Sequence, residues 1–265
     1  MPRCLLFLIV LPLPAPTADT KADDFVHVQK GTLPVVISAP HGGRKKVPDV
    51  AERKGDGIKQ FVTVRDDNTA ELAEALAAEV EKLLGGKPWV VVAKFERKFI
   101  DANRPREAAY ESDVAKPYYD AYHGPLEAAC KSVKQKHGRG LLLDIHGQAP
   151  FPDTICRGTQ NGKTVTLLKD RFGWAAVAGK NSVLGKLEAR GYKVLPKGDA
   201  PPDAKEDARF NGGYTVGTYG SHTGYGIDAI QLELGGDLRK KAAVPKTAKD
   251  IAAAVAAFHD EYLKP

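Results

Sequence analysis

The sequence predicts an α/β fold, a three-layer α/β/α arrangement around a central mixed, mostly parallel sheet. Three observations carry that expectation. Short aliphatic runs (VVISAP, WVVVAKF, LLLDI, AIQLEL) alternate with segments in which leucine and alanine recur at helical spacing, the pattern of a sheet covered on both faces. The runs close on glycine or polar residues, as inner strands do at a sheet edge. A chain of 265 residues with 43% hydrophobic content can fill one large core.

The first element is a leader. MPRCLLFLIVLPLPAPTADTKADD has a basic start, an apolar stretch from Cys4 to about Leu13, and small residues before a charged segment. That layout predicts a secretory signal peptide over residues 1–22, followed by one catalytic domain over 23–265, and hence an exported protein, periplasmic or extracellular. The apolar stretch is too short for a permanent membrane span. Cys130 and Cys156 would then occupy a compartment where disulfides form, and their spacing leaves open whether they pair. Neither belongs to a cysteine–histidine metal motif.

VVISAP (35–40) reads as a buried strand entering the basic, glycine-rich loop HGGRKKVPD. DDNTAELAEALAAEVEKLLGG reads as a helix, with Asp66 and Asp67 at its head and Gly85 and Gly86 as its stop. A strand PWVVVAKF, a polar loop through DANRP, a helix from about Tyr118 to Lys136 and the strand GLLLDI follow. KTVTLL is a further strand expectation, and WAAVAGKNSVLGKLEARG reads as one helix. The strands YKVLP and AIQLEL and a terminal helix AKDIAAAVAAFHDEYL complete the chain, with GDAPPDAKEDARFNGG as a long surface loop.

The formal charge of +6 is compatible with an anionic substrate or with cell-wall contact. The lysines and arginines are scattered and not interleaved with stacking aromatics, which argues against nucleic acid as a partner.

Polar residues stand just beyond four apolar runs: His41, the Arg97 to Arg104 segment, Asp144 with His146, and Glu233. In a parallel sheet such ends gather on one edge. Two histidines and a carboxylate make a catalytic zinc set with an open position for water, one ion per chain. His41 and His146 are the nitrogen ligands, and Asp66 or Asp67 supplies the carboxylate, although acids at a helix start also serve as caps. Asp144, two residues before His146, shares its side of the strand and could orient it. Glu233, in an apolar strand, needs a partner or a task; general base is one reading and an ion pair with Arg97, Arg104 or Arg239 the other. The arginine of DANRP can grip a substrate carboxylate with two hydrogen bonds.

The ordered segments SAPHGG, RDDNTAELA, ERKFIDANRP, LLLDIHG, ARFNGGYTVGTYG and AIQLEL through LR resemble the N-formylglutamate amidohydrolase family from about Val35 to Arg239. That family is similar to the zinc carboxypeptidases and to zinc amidases that cut N-acetylmuramoyl-L-alanine. The resemblance implies zinc held by His41, Asp66 or Asp67, and His146, with Glu233 as base and Arg97 also catalytic. It implies a small-molecule or short-peptide substrate bearing a free carboxylate, gripped by Asn103 and Arg104, with Arg209, Tyr214, Tyr219 and Arg239 shaping the substrate end. Two positions depart from the family pattern, which has serine where this chain has Gly42 and Gly147. The functions in view are a zinc amidohydrolase acting on an N-acyl, including N-formyl, amino acid, an exported peptidoglycan amidase or carboxypeptidase, and a carboxylate-binding protein without catalysis.

Overall fold

A computed structural model describes residues 20–224 and 226–264; residues 1–19 of the expected leader lie outside the described residues. The strands are β1 (Val26–Gln29), β2 (Val35–Ala39), β3 (Trp89–Ala93), β4 (Leu141–Gln148), β5 (Thr154–Gly158), β6 (Lys193–Leu195) and β7 (Asp228–Gly235). They form one seven-stranded sheet in the order β1-β3-β2-β4-β7-β5-β6. Its centre, β3-β2-β4-β7, is parallel, whereas β1 runs antiparallel to β3 and β5 antiparallel to β7. The mixed, mostly parallel α/β fold is therefore the one observed.

The helices are α1 (Thr20–Asp23), α2 (Thr69–Leu84), α3 (Arg106–Ala109), α4 (Lys116–His137), α5 (Thr166–Phe172), α6 (Ala175–Ala178), α7 (Val183–Glu188), α8 (Tyr214–Tyr219) and α9 (Val244–Phe258). Side chains alternate across a strand, so each central strand feeds two cores. Val35, Ile37, Leu141, Leu143 and Ile145 pack with Leu72 and Leu76 of α2 and Ile251 and Val255 of α9. Val36, Leu142 and Ala229 face the other way, toward Tyr118, Tyr122 and Leu126 of α4. Ser38, Asp144, His146, Gln231 and Glu233 have the same parity as this second set, and the strand ends carry them past the apolar layer to the sheet edge. No helix among the described residues is long and apolar enough to cross a membrane.

Several elements differ from expectation. KTVTLL is not a strand: its second half opens α5. The start of α5 is satisfied from distant segments, with Leu167 N–H donating to Ser221 Oγ (3.1 Å) and Leu168 N–H to Asp228 Oδ1 (3.0 Å). WAAVAGKNSVLGKLEARG is two short helices, α6 and α7, because Gly179 and Gly185 approach so closely that a Cβ on Gly185 would lie 2.2 Å from the Gly179 carbonyl. Ser182 Oγ then caps α7 through Gly185 N–H (3.0 Å). Helix α2 begins on Asn68, in a left-handed conformation (φ 62°), so neither Asp66 nor Asp67 is its cap. Cys130 and Cys156 are both buried and unpaired. The long loop 198–213 has no regular structure, as read from its sequence.

Candidate metal centre and its cleft

Parallel strands put their carboxyl ends on one edge, and that edge holds the site. His41 follows β2, Arg97 follows β3, and His146 and Glu233 are register partners on β4 and β7. Asp66 comes from the turn before α2: its backbone N–H donates to His41 O (3.1 Å), and its carboxylate Oδ2 accepts from Gly147 N–H (3.0 Å). The two histidines and Asp66 are buried, and one ligand atom from each lies within 4.8 Å of the others.

The ring nitrogens divide the work. His41 Nδ1 and His146 Nδ1 both face Asp66 Oδ2, at 3.4 and 3.5 Å. Their Nε2 atoms point outward, that of His41 to Asp101 Oδ1 (2.6 Å) and that of His146 to Asp144 Oδ2 (2.8 Å). An ionised carboxylate can only accept, so each Nε2 carries hydrogen. In the neutral rings both Nδ1 atoms then offer lone pairs to the space beside Asp66, the arrangement in which carboxylates orient metal-binding histidines. His41 Nδ1 is buried without a hydrogen-bond partner. That orphaned atom, beside a carboxylate and a second imidazole, fits a divalent cation, and the mixed nitrogen and oxygen donors suit zinc.

The surrounding charges support the same fit. Burial disfavours an ionised Asp66, but the neighbouring His146 and His41 outweigh it and hold the carboxyl well below the usual range. Asp101 is likewise buried and held low by His41, Arg97 and Arg53, with Arg97 Nε donating to its Oδ2 at 3.0 Å. Burial works against a charged His146, yet Asp144 and Asp66 push its pKa well up. Four carboxylates thus converge on two imidazoles and the guanidinium of Arg97, with Arg53 also against Asp101, and the proton on His146 adds to the balancing charge. Metal binding would release that proton.

Glu233 is buried, and desolvation pushes its carboxyl up to about 7, a value suited to moving protons near neutrality. Its Oε1 lies 4.0 Å from His146 Nδ1 and accepts from Gln231 Nε2 at 2.9 Å. The expected ion pair between Glu233 and an arginine is not among its contacts in the described residues.

A cleft of about 930 Å³ opens over these groups. Arg97, Asn103, Arg104, Arg209, Tyr214 and Arg239 all line it. Arg97 Nη1 is 3.6 Å from Asp66 Oδ1. Arg104 Nη2 donates to Gln60 O (2.8 Å), and Asn103 Oδ1 accepts from Thr215 N–H (2.8 Å). A Cβ on Gly213 would lie 2.2 Å from Asn103 Nδ2, so a larger residue there would displace the Asn103 side chain. Arg209 is held by Asp207 through Nε and Nη2 and lies over the rings of Phe151 and Phe210. Arg239 turns its guanidinium to the carbonyls of Leu234, Asp67 and Gln148, bracing the wall behind Gly147.

Two expected site residues lie elsewhere. Asp67 is turned away, its side chain 61% exposed and paired with Arg65, because the left-handed Asn68 swings only Asp66 inward. Tyr219 is buried outside the cleft lining, its hydroxyl 2.8 Å from His123 Nδ1, since its place on α8 faces the α4 core. Reading the sequence also left Asp101, Gln231 and Arg53 without roles. Asp101 could have been noticed as an acid heading a turn just beyond a strand; Gln231 could have been noticed as a second polar side chain on the face of β7 that carries Glu233.

These features define a class: an α/β protein with a buried two-histidine, one-carboxylate centre on the carboxyl edge of a mixed sheet. No protein-family model matches the chain, and no curated protein matches its sequence. Among solved structures the chain is similar in fold to N-formylglutamate amidohydrolase from Ralstonia eutropha JMP134, with a TM-score of 0.58 and 15% identity over 89% of this chain and 98% of that one. It is similar also to a gene product of Agrobacterium tumefaciens, with a TM-score of 0.55 and 14% identity over 89% and 95% of the two chains. The ordered motifs and the fold therefore lead to the same structural relative.

Proposed function

We propose that the chain is a zinc-dependent hydrolase of a C–N amide bond in an N-acyl amino acid, N-formyl amino acids included, or in a short peptide bearing a free carboxylate. The observation that carries this reading is the pair of inward Nδ1 atoms around Asp66 Oδ2, one of them orphaned, beside buried Glu233. When bound, zinc supplies a Lewis acid for the scissile carbonyl and lowers the pKa of water. Glu233 takes the proton of the attacking water as the carbon–oxygen bond forms. It returns that proton to the nitrogen as the carbon–nitrogen bond breaks, giving a carboxylate and an amine. Arg97 places positive charge where the tetrahedral oxyanion develops, beside Asp66. Asn103 and Arg104 bind the substrate carboxylate at the cleft wall, while Arg209, Tyr214 and Arg239 bound the far end. The fold shared with a structure named N-formylglutamate amidohydrolase supports an amidohydrolase reading.

A second reading, an exported peptidoglycan amidase or carboxypeptidase, is favoured by the size of the cleft. About 930 Å³ lies near the top of the range for sites that enclose drug-sized ligands, far more than one N-acyl amino acid fills. The leader expected at residues 1–22 and the net charge of +6 would suit export and contact with an anionic wall.

Metal content measured by mass spectrometry on wild type and on the His41→Ala, His146→Ala double variant tests the metal centre. About one zinc per wild-type chain, absent from a folded double variant, is expected; a wild type that takes up no metal after reconstitution overturns the reading. Parallel assays on N-formyl and N-acetyl amino acids and on peptidoglycan fragments separate the two substrate classes.

A further inference from the structure

The base of the proposed reaction is held by a residue with no assigned role. Gln231 stands two positions before Glu233 on β7, with the same face, and its register partner on β4 is Asp144. It is 4% exposed, and its amide bridges two parts of the site. Gly213 N–H donates to Gln231 Oε1 at 2.8 Å, and Asn103 Nδ2 approaches the same oxygen at 3.5 Å. Gln231 Nε2 donates to Glu233 Oε1 at 2.9 Å. The orientation of this amide follows from chemistry: a backbone N–H can only donate, so oxygen must face Gly213, and the NH₂ group must face the carboxylate.

We propose that Gln231 is a positioning residue that locks the Glu233 carboxylate in one rotamer and ties it to the cleft wall at Gly213. The proposal rests on Glu233 acting as the base. The Gln231 amide takes one lone pair of Oε1 and so fixes the carboxylate beside His146 Nδ1, where it takes up the proton of the attacking water and returns it to the leaving nitrogen. The same bridge makes the wall formed by Asn211 to Gly213 a structural neighbour of the base, although the wall belongs to a long loop and the base to the central sheet.

The test has two readouts. High-resolution crystal structures of wild type, Gln231→Met and Gln231→Asn, the last an amide too short to bridge, report the Glu233 rotamer without any assay. A single rotamer in wild type and a second rotamer, or a shift of about 1 Å, in either variant that folds is expected; an unmoved carboxylate overturns the proposal. On an amide substrate, Gln231→Met should lower kcat about 10- to 100-fold with KM and metal content little changed, the cost of misplacing a reacting group by about 1 Å. In a Glu233→Gln background the same substitution should cost nothing further, whereas an equal loss in both backgrounds means that Gln231 does not act through Glu233. A wild type that binds metal but hydrolyses no amide removes the hydrolase reading, and the rotamer comparison then decides the positioning role by itself.

Discussion

Two buried charge networks among the described residues are built on different terms. Arg157, on β5, is 1% exposed and pairs with Glu206 through Nε at 2.8 Å. Glu206 also accepts from Thr159 N–H, Thr159 Oγ and Asn161 N–H, so its carboxylate is saturated with donors. At the sheet edge, by contrast, the acids meet their donors but His41 Nδ1 is left over, facing a carboxylate without a hydrogen bond. The first network balances its own charges and anchors the loop that walls the cleft. The second leaves one buried acceptor open, which a cation would fill. Burial alone therefore does not mark function; an unbalanced set of buried acceptors does.

Removing one charge from each network is the sharpest way to break the contrast. Glu233→Gln should lower kcat by about 10²- to 10⁴-fold, the usual share of a general base, while metal content and unfolding temperature stay at wild-type values. Zinc lost from the variant would recast Glu233 as a ligand. Glu206→Ala should do the reverse, leaving Arg157 buried and unpaired at a cost of about 3–5 kcal/mol in stability, with zinc stoichiometry kept in the folded fraction. An unfolding midpoint unchanged in denaturant would show that the paired network is not structural.

A pH series on stability sharpens the comparison next, because two buried histidines are treated oppositely. His146 is pushed up by its carboxylates, whereas burial lowers His123 to about 4. Nε2 of His123 donates to Ala102 O at 2.9 Å, leaving Nδ1 to accept from the Tyr219 hydroxyl, so the neutral ring is the one accommodated. With an unfolded pKa near 6.5, His123 contributes stability that is complete above that value and is lost as pH falls toward 4. Between pH 7.5 and 4.5 this group should remove about 2–3 kcal/mol. His123→Gln should flatten that part of the profile; equal slopes for variant and wild type would exclude His123 as the source.

The smallest expected effect is Asp101→Asn, which keeps a partner for His41 Nε2 but removes its charge. Zinc affinity should fall about 10- to 100-fold in the folded fraction, as for other residues that orient a ligand. Unchanged affinity would mean that Asp101 serves Arg97 and Arg53 more than His41.

Much of this site could be read from the chain because parallel strands impose a common edge. His41, Arg97, His146 and Glu233 each follow or end an apolar run, and knowing that the runs are parallel is enough to gather them. The choice between Asp66 and Asp67 was not legible, since it turns on the left-handed conformation of Asn68, which the sequence around it does not dictate. β5 was invisible for another reason: TICRG carries a buried arginine whose partner lies 49 residues away. The helix at α5 was read as a strand because its start is satisfied by Ser221 and Asp228, contacts made only after the chain has folded. Local pattern thus supplied the central parallel strands and their edge, and long-range hydrogen bonds decided which of two neighbours faces inward.

The register between β4 and β7 sets when the site can come into being. His146 stands opposite Glu233 and Asp144 opposite Gln231, while Ser38, 106 residues earlier than Asp144, donates to it across β2 at 2.6 Å. A slip of one residue in either pairing would turn these side chains to the other face. Closing such distant loops is slow, and no single segment of the chain holds a usable fraction of the centre. Metal uptake during refolding would therefore report late assembly: it would clock the moment at which β2, the turn before α2 and β4 reach native alignment.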